Sequence, residues 1–372
     1  MLQAPPPRAF RPPSYRRRDL ARNPLIVFWE TTLACDLICQ HCRACAQTRP
    51  HPGELSPDDA LLLIDHLCEF PKPPMLVLTG GDPLKRADIF DIVAYGTLRG
   101  LEVSITPSAT PLVTFDALRR LRDCGIARVA VSLDGADAAT HDALRGVRGS
   151  FDRTMEILLI AEALGIPAQV NTTMTPANFQ QVDAIADLLA DQDIVLWSVF
   201  FLVPVGRADG AQRLAPEQYE WVFERLWQNA QRQPYRIKTT EAPHYRRYEI
   251  LREQSAAAGS QHAPVRQRAF SSVGINDGKG VMFVGHTGFV YPSGFMPILC
   301  GVFPQQRLVD IYQRSPVMQA LRDASRLEGK CHECEFRHLC GGSRARAYAV
   351  TGNPLAQEPD CLYEPATWAN PT

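Results

Sequence analysis

Six short apolar runs, residues 25–32, 75–79, 101–106, 128–133, 167–173 and 194–203, end in polar or glycine-rich turns and read as strands. Between them, segments such as 115–123 and 151–164 carry apolar residues at helical spacing. A helix starts at Ser56-Pro57-Asp58-Asp59, with Ser56 as N-cap, Pro57 at the first helical position and acids in the first turn. Its expected apolar face is Ala60, Leu61, Ile64 and Cys68, which makes Cys68 a core residue and not a ligand. Cys124, just ahead of Gly125 at a helix end, reads as structural as well. Six β/α units within roughly 180 residues predict an α/β fold, a parallel sheet with helices outside. A closed eight-fold barrel wants about 250 residues, so the expected form is an open, partial (β/α)6 barrel.

Composition bounds the class. A chain of 372 residues buries a large core and fits one full-sized domain plus a smaller one. A net charge of -1 leaves no footprint for nucleic acid or an anionic membrane, and no apolar run is long enough to span a bilayer. Residues 1–24 hold Pro5, Pro6, Pro7, Pro12, Pro13, Pro24 and the triplet Arg16, Arg17, Arg18, and read as an extended arm. That arm lacks the apolar core of a signal peptide, so a cytoplasmic location is expected. The expected division is the arm 1–24, the barrel 25–235 and a smaller C-terminal unit 236–372. Eleven cysteines in such a chain point to metal and not to disulfides.

The first cysteine cluster is Cys35-Asp-Leu-Ile-Cys39-Gln-His-Cys42, directly after a predicted strand. Three thiolates at this spacing suit one four-iron cluster that keeps an iron open for a small molecule. Zinc is the competing reading, but zinc prefers paired CxxC units with a fourth local ligand, and no second pair lies close by. Cys45 gives a second register, Cys39, Cys42 and Cys45; it reads as a spare thiol near the cluster or, preferably, as a small buried residue.

With these cysteines, and with Thr79-Gly80-Gly81-Asp82-Pro83-Leu84 after the second strand, the chain resembles the radical S-adenosylmethionine (SAM) superfamily. The resemblance implies a [4Fe-4S] cluster on Cys35, Cys39 and Cys42 whose free iron chelates the amine and carboxylate of SAM. Gly80, Gly81, Asp82 and Pro83 match the family's GGEP motif at the SAM amino group, with Asp82 in place of the usual glutamate. His41 takes the position of an aromatic residue that packs near the adenine. Ser132 and Asn171, at the ends of the fourth and fifth strands, are expected near the ribose and carboxylate. Each of these two also has a bland reading as a capped turn or a satisfied strand-end polar group, and Asp134 and Arg145 have one as solvated surface.

At the other end of the chain stand Cys331-x2-Cys334-x5-Cys340 and then Cys361. This resembles part of the SPASM extension, which carries auxiliary clusters. The full pattern would need cysteines where Arg344 and Ser293 stand, so the expectation is one auxiliary [4Fe-4S] cluster fully ligated by Cys331, Cys334, Cys340 and Cys361, with a structural zinc as the alternative. Full ligation suits electron transfer. Cys300 fits neither pattern.

Within the superfamily the motifs resemble the heme b synthase and heme d1 biosynthesis group. That likeness implies oxidative decarboxylation of tetrapyrrole propionates, with an iron-coproporphyrin or related tetrapyrrole as substrate and an electron donor such as flavodoxin or ferredoxin. Candidate cations for the carboxylates are His244-Tyr245-Arg246-Arg247 and Arg344-Ala-Arg346-Ala-Tyr348, which read equally as solvated basic surface or ion pairs. His286 is a candidate axial ligand to an iron porphyrin, or a structural histidine. The alternatives are a radical SAM enzyme that modifies a ribosomally made peptide, and a non-enzymatic metal protein.

Overall fold

The computed structural model describes residues 20–259 and 274–369, so the proline-rich arm lies outside the described residues apart from residues 20–24. Strands β1 (Ile26–Glu30), β2 (Met75–Thr79), β3 (Val103–Ile105), β4 (Arg128–Ser132), β5 (Ala168–Met174), β6 (Ile194–Phe201) and β7 (Arg236–Thr240) lie side by side in chain order, all parallel. Strand β8 (Val281–Val284) returns to pair parallel with β1, and β9 (Phe289–Tyr291) and β10 (Gly301–Val302) extend that edge antiparallel. All six strands predicted from the sequence are present. The remaining four form one sheet with them, and β7 carries that sheet past residue 235.

Alternation along the strands sets the two faces. In β5, Ala168, Val170, Thr172 and Met174 are buried toward the helices, and Gln169, Asn171 and Thr173 are half-buried on the other face. The outer face packs against α1 (Pro57–Cys68), α2 (Ile89–Leu98), α3 (Phe115–Asp123), α4 (Ala138–Arg145), α5 (Ser150–Ala163), α6 (Val182–Ala190) and α7 (Pro216–Arg232), around the fully buried Trp29 and Trp197. The C-terminal part adds α8 (Tyr245–Gly259), α9 (Leu308–Arg314), α10 (Pro316–Arg322), α11 (Gly329–Glu333) and α12 (Arg344–Thr351). Among the described residues no helix is long and apolar enough to cross a membrane.

The sheet is curled. Strands β1 and β6 are five places apart in the strand order, yet Arg207 N–H, just beyond β6, donates to the Cys42 carbonyl in the loop after β1 at 3.0 Å. The inner face therefore lines a lumen whose rim is formed by the C-terminal strand ends, where chemistry collects in parallel β/α folds.

Helix α1 starts as its sequence predicts: Ser56 and Asp59 exchange capping-box hydrogen bonds, Pro57 occupies the first turn, and the cap contributes about 1 kcal/mol. Its buried face is Ala60, Leu63, Ile64 and Leu67, with Leu61 and Cys68 only half-buried. The apolar stripe is wide enough for two faces, and packing on the sheet and on α9 selects the one centred on Leu63 and Ile64. Cys124 is the C-cap residue of α3, a structural position as expected.

Candidate functional site

The cysteine loop is fixed from below by the end of β2. Gly81 N–H donates to the Thr32 carbonyl at 2.8 Å and Asp82 N–H to the Ala34 carbonyl at 2.6 Å. Gly80 sits at φ +150, and a Cβ on either glycine would fall inside contact distance of a loop carbonyl, Thr32 for Gly80 and Ala34 for Gly81. The two glycines thus seat the cysteine loop on the strand end. Glu54, which carried no sequence signal, holds the loop from the other side, accepting from Thr32 Oγ1 at 2.7 Å and from Leu33 N–H at 3.0 Å.

Asp82 is fully buried. Its carboxylate accepts from Leu84 N–H at 3.1 Å, Thr110 Oγ1 at 2.7 Å and, more weakly, Ser108 N–H at 3.4 Å. Burial pushes its pKa up, against the lowering effect of these bonds. The side chain is spent on the turn that opens at Pro83, so what this motif offers a ligand at the rim is backbone.

Cys35 and Cys39 are buried, and Cys42 packs against them. Donors are aimed at their sulfurs: Leu37 N–H to Cys35 at 3.4 Å, Ala46 N–H to Cys42 at 3.4 Å, and the Arg145 guanidinium to Cys39 at 3.8 Å. N–H groups directed at sulfur fit thiolates that carry a cluster. Cys45 is exposed and takes a left-handed φ of 49, which corrects the preference for a small buried residue. It is the loop's turn, and a turn at the rim has no core to enter.

Asp134 and Arg145 are not solvated surface. Asp134 is fully buried, 2.5 Å from Arg145 Nη2 and 3.3 Å from His41 Nε2, and Asp134 N–H donates to His141 Nδ1. Burial alone would raise the Asp134 carboxyl, but Arg145 and His41 outweigh it and hold it well below the usual carboxylate range. His41 is therefore oriented by Asp134, and its buried Nδ1 meets no hydrogen-bond partner among the described residues. Ser132, Asn171, Ser198 and Lys238 are register partners across β4, β5, β6 and β7, a polar row on the lumen face. Asn171 accepts from Gln169 at 2.7 Å through Oδ1, which leaves its amide hydrogens unspent. An orphaned imidazole nitrogen beside a half-spent polar row fits a polar ligand such as SAM at this rim.

Cys331, Cys334, Cys340 and Cys361 line a single cavity together with His244, Arg247, Lys330 and Glu358. Glu358 N–H donates to Cys331 Sγ at 3.2 Å and Gly342 N–H to Cys340 Sγ at 3.4 Å. His244 is buried in the wall, and neither ring nitrogen meets a hydrogen-bond partner among the described residues. Burial pushes the Cys334 thiol up to about 11, so metal loading here displaces protons. Four thiols around a cavity with an orphaned donor fit a polynuclear cluster.

Most of the candidate substrate cations have partners of their own. Arg344 and Arg346 are buried: Arg344 donates to the Pro354 and Ala356 carbonyls at 3.1 and 2.7 Å, and Arg346 pairs with Glu358 at 2.8 Å and Asp360 at 3.1 Å. Arg247 pairs with Glu220. Burial lowers the His244 pKa to about 3 and keeps the ring neutral. These residues are spent inside the fold. Cys300 donates to the Ile298 carbonyl at 3.5 Å, away from both cysteine groups.

Comparison with known proteins agrees with this architecture. Residues 29–189 match the radical SAM superfamily profile. The chain is 37% identical over 348 residues to the AdoMet-dependent heme synthase of Methanosarcina barkeri, covering 93% of this chain and 98% of that protein; AdoMet is SAM. It is likewise 37% identical over 343 residues to the AdoMet-dependent heme synthase of Nitratidesulfovibrio vulgaris, covering 91% of this chain and 92% of that protein. In fold it is similar to SuiB of Streptococcus suis, with a TM-score of 0.71 at 17% identity over 92% of this chain and 78% of that one. On the strength of these likenesses the chain belongs to the radical SAM superfamily, and it is a radical SAM enzyme, a family that works with a [4Fe-4S] cluster and SAM.

Proposed function

We propose that the enzyme oxidatively decarboxylates the propionate side chains of an iron-tetrapyrrole such as iron-coproporphyrin III. Each propionate loses a hydrogen atom from its β-carbon, carbon dioxide from its carboxylate and one electron, and is left as a vinyl group. When bound, the Cys35/Cys39/Cys42 cluster and SAM supply the 5'-deoxyadenosyl radical that takes up that hydrogen atom. Cys331, Cys334, Cys340 and Cys361 would hold an auxiliary [4Fe-4S] cluster able to accept that electron, and a donor such as flavodoxin or ferredoxin would supply the electron that SAM cleavage requires.

One observation carries the substrate class. Lys238 of β7 faces the lumen in the same row as Ser132, Asn171 and Ser198, and no hydrogen-bond acceptor or carboxylate partners its ammonium among the described residues. Its charged neighbours are themselves cations, Arg128 and Arg246, and burial together with these two brings its pKa down to about 8. A half-buried ammonium among guanidinium groups is costly unless an anion completes it. A tetrapyrrole with several propionates supplies such anions. A peptide has no general need for them.

The residues around the lumen divide the remaining work. Arg128 is steadied by Gln169 Oε1 at 3.0 Å and Arg246 by the Leu339 carbonyl at 3.1 Å, next to Cys340. Phe28 is half-buried on the inner face of β1, and Phe200 and Phe295 meet at 6.3 Å over β6, which gives flat walls for a macrocycle. Enclosure by these walls keeps water from a radical on the substrate.

The test is binding of iron-coproporphyrin III and of its tetramethyl ester to wild type and Lys238→Met. The free acid is expected to bind wild type at least about tenfold tighter than the ester, a margin that Lys238→Met narrows. Equal affinity of acid and ester in wild type would contradict the proposal.

A further inference from the structure

His286, singled out in the sequence, lies outside both cysteine groups and the polar row of the lumen. It stands two residues after β8, in the turn where Gly288 N–H closes back on the Gly285 carbonyl. Its Nδ1 lies 2.8 Å from Glu30 Oε1. Glu30 ends β1 on the inner face, since Val27 and Trp29 pack outward, and it is nearly buried. The other carboxylate oxygen of Glu30 takes Arg43 Nη2 at 2.8 Å. Arg43 in turn lies over the Phe283 ring, 4.6 Å from its centroid, and donates to the Gly294 carbonyl at 3.3 Å. Burial would raise the Glu30 carboxyl, but Arg43 and His286 outweigh it and hold it below the usual range.

In the neutral ring, a carboxylate at Nδ1 selects the tautomer with its proton on Nδ1 and its lone pair on Nε2. Nε2 meets no hydrogen-bond partner among the described residues and is not sealed from solvent. A carboxylate behind one nitrogen with the other left open is the arrangement that makes imidazole a strong metal ligand. Aromatic rings stand on both sides of this edge. Phe283 and Tyr291 pack at 6.3 Å on the β8 side, and the turn at Gly294 and Phe295 reaches across to Phe200 of β6.

We propose that His286 binds the substrate's iron through Nε2, held by Glu30, so that one axial bond fixes the macrocycle's height in the lumen while its carboxylates reach the Lys238 side. The inference rests on the tetrapyrrole reading above and adds the metal as a recognised part of the substrate. His51, whose ring meets His286 edge-on at 5.2 Å, is the rival ligand. Its Nδ1 already accepts from Gly53 N–H at 3.0 Å, and it is exposed.

The experiment is an anaerobic titration of the cluster-loaded enzyme with iron-coproporphyrin III and with metal-free coproporphyrin III. It is read by fluorescence quenching and, for the ferric form, by the electron paramagnetic resonance spin state. Wild type is expected to favour the iron form by at least about tenfold. His286→Gln should bring the two affinities to parity, with metal-free porphyrin bound as in wild type, and should abolish the histidine-ligated ferric signal. Glu30→Gln should fall between, and His51→Ala should retain the preference. No iron preference in wild type, its persistence in His286→Gln, or its loss in His51→Ala would each overturn the ligand assignment while leaving the tetrapyrrole reading intact. Failure of wild type to bind either porphyrin would instead remove the reading on which the assignment rests.

Discussion

The two cysteine groups differ in what encloses them. Cys35, Cys39 and Cys42 sit on a loop at the lumen rim, pinned by backbone hydrogen bonds from Gly81 and Asp82 and by the Arg145–Asp134 pair. Cys331, Cys334, Cys340 and Cys361 line a cavity inside a buried ion network of Arg346, Glu358 and Asp360. Three ligands beside a lumen suit a cluster that meets a small molecule, and four around one cavity suit one whose irons are all held by protein. On the proposed reading, ligand number and placement together separate the two roles.

The sharpest way to break the comparison is to unload each group separately. Two four-iron clusters give about eight iron atoms per chain. The triple variant Cys35→Ala, Cys39→Ala, Cys42→Ala is expected to keep about four iron atoms and to lose SAM cleavage entirely. Cys334→Ala with Cys361→Ala is also expected to keep about four, yet still to cleave SAM. Iron analysis and a deoxyadenosine assay check both, and loss of cleavage in the second variant with its rim cluster intact would contradict the division.

Next in size is the ion network. Glu358→Gln leaves the buried Arg346 short of a charge and is expected to destabilise the protein by about 3 kcal/mol, measured by chemical denaturation. Burial raises the Glu358 carboxyl, but Arg346 outweighs it and brings the pKa from 4.5 down to about 2. Its contribution is therefore complete above about pH 4.5 and is lost as pH falls toward 2. Asp360, pushed up by burial, works in the opposite direction, so the difference between wild type and Glu358→Gln isolates the Glu358 part. That difference should shrink on acidification.

A smaller effect sharpens the lumen side. With Lys238 titrating near pH 8, affinity for iron-coproporphyrin III should fall as pH rises from 7 to 9. Lys238→Arg keeps its charge across this range, so its affinity should stay flat, checked by titrations at each pH. Smallest of all, Cys45→Ser is expected to leave iron content and SAM cleavage unchanged, because Cys45 is exposed on the loop's turn.

What the sequence revealed was local. Strand ends and the Ser56 cap depend on neighbours within a few residues, and each stands where its pattern predicts. What stayed hidden depends on distant partners. Glu30 and His286 are 256 residues apart, and only the pairing of β8 with β1 brings them together. Arg344 and Arg346 resemble a basic surface in the linear chain because the acids and carbonyls that bury them follow in a separate loop. Lys238 is one polar residue in a five-residue strand, and its isolation from carboxylates is a property of the curled sheet. The choice of Leu63 over Leu61 for the core was settled by what α1 packs on, which periodicity alone does not encode.

The measurement closest to the central claim is an anaerobic reaction of the cluster-loaded enzyme with SAM, a strong reductant and iron-coproporphyrin III, following deoxyadenosine and porphyrin mass together. Stepwise loss of carboxylates, one deoxyadenosine for each, is the predicted result. Deoxyadenosine released while the porphyrin mass stays unchanged would contradict it.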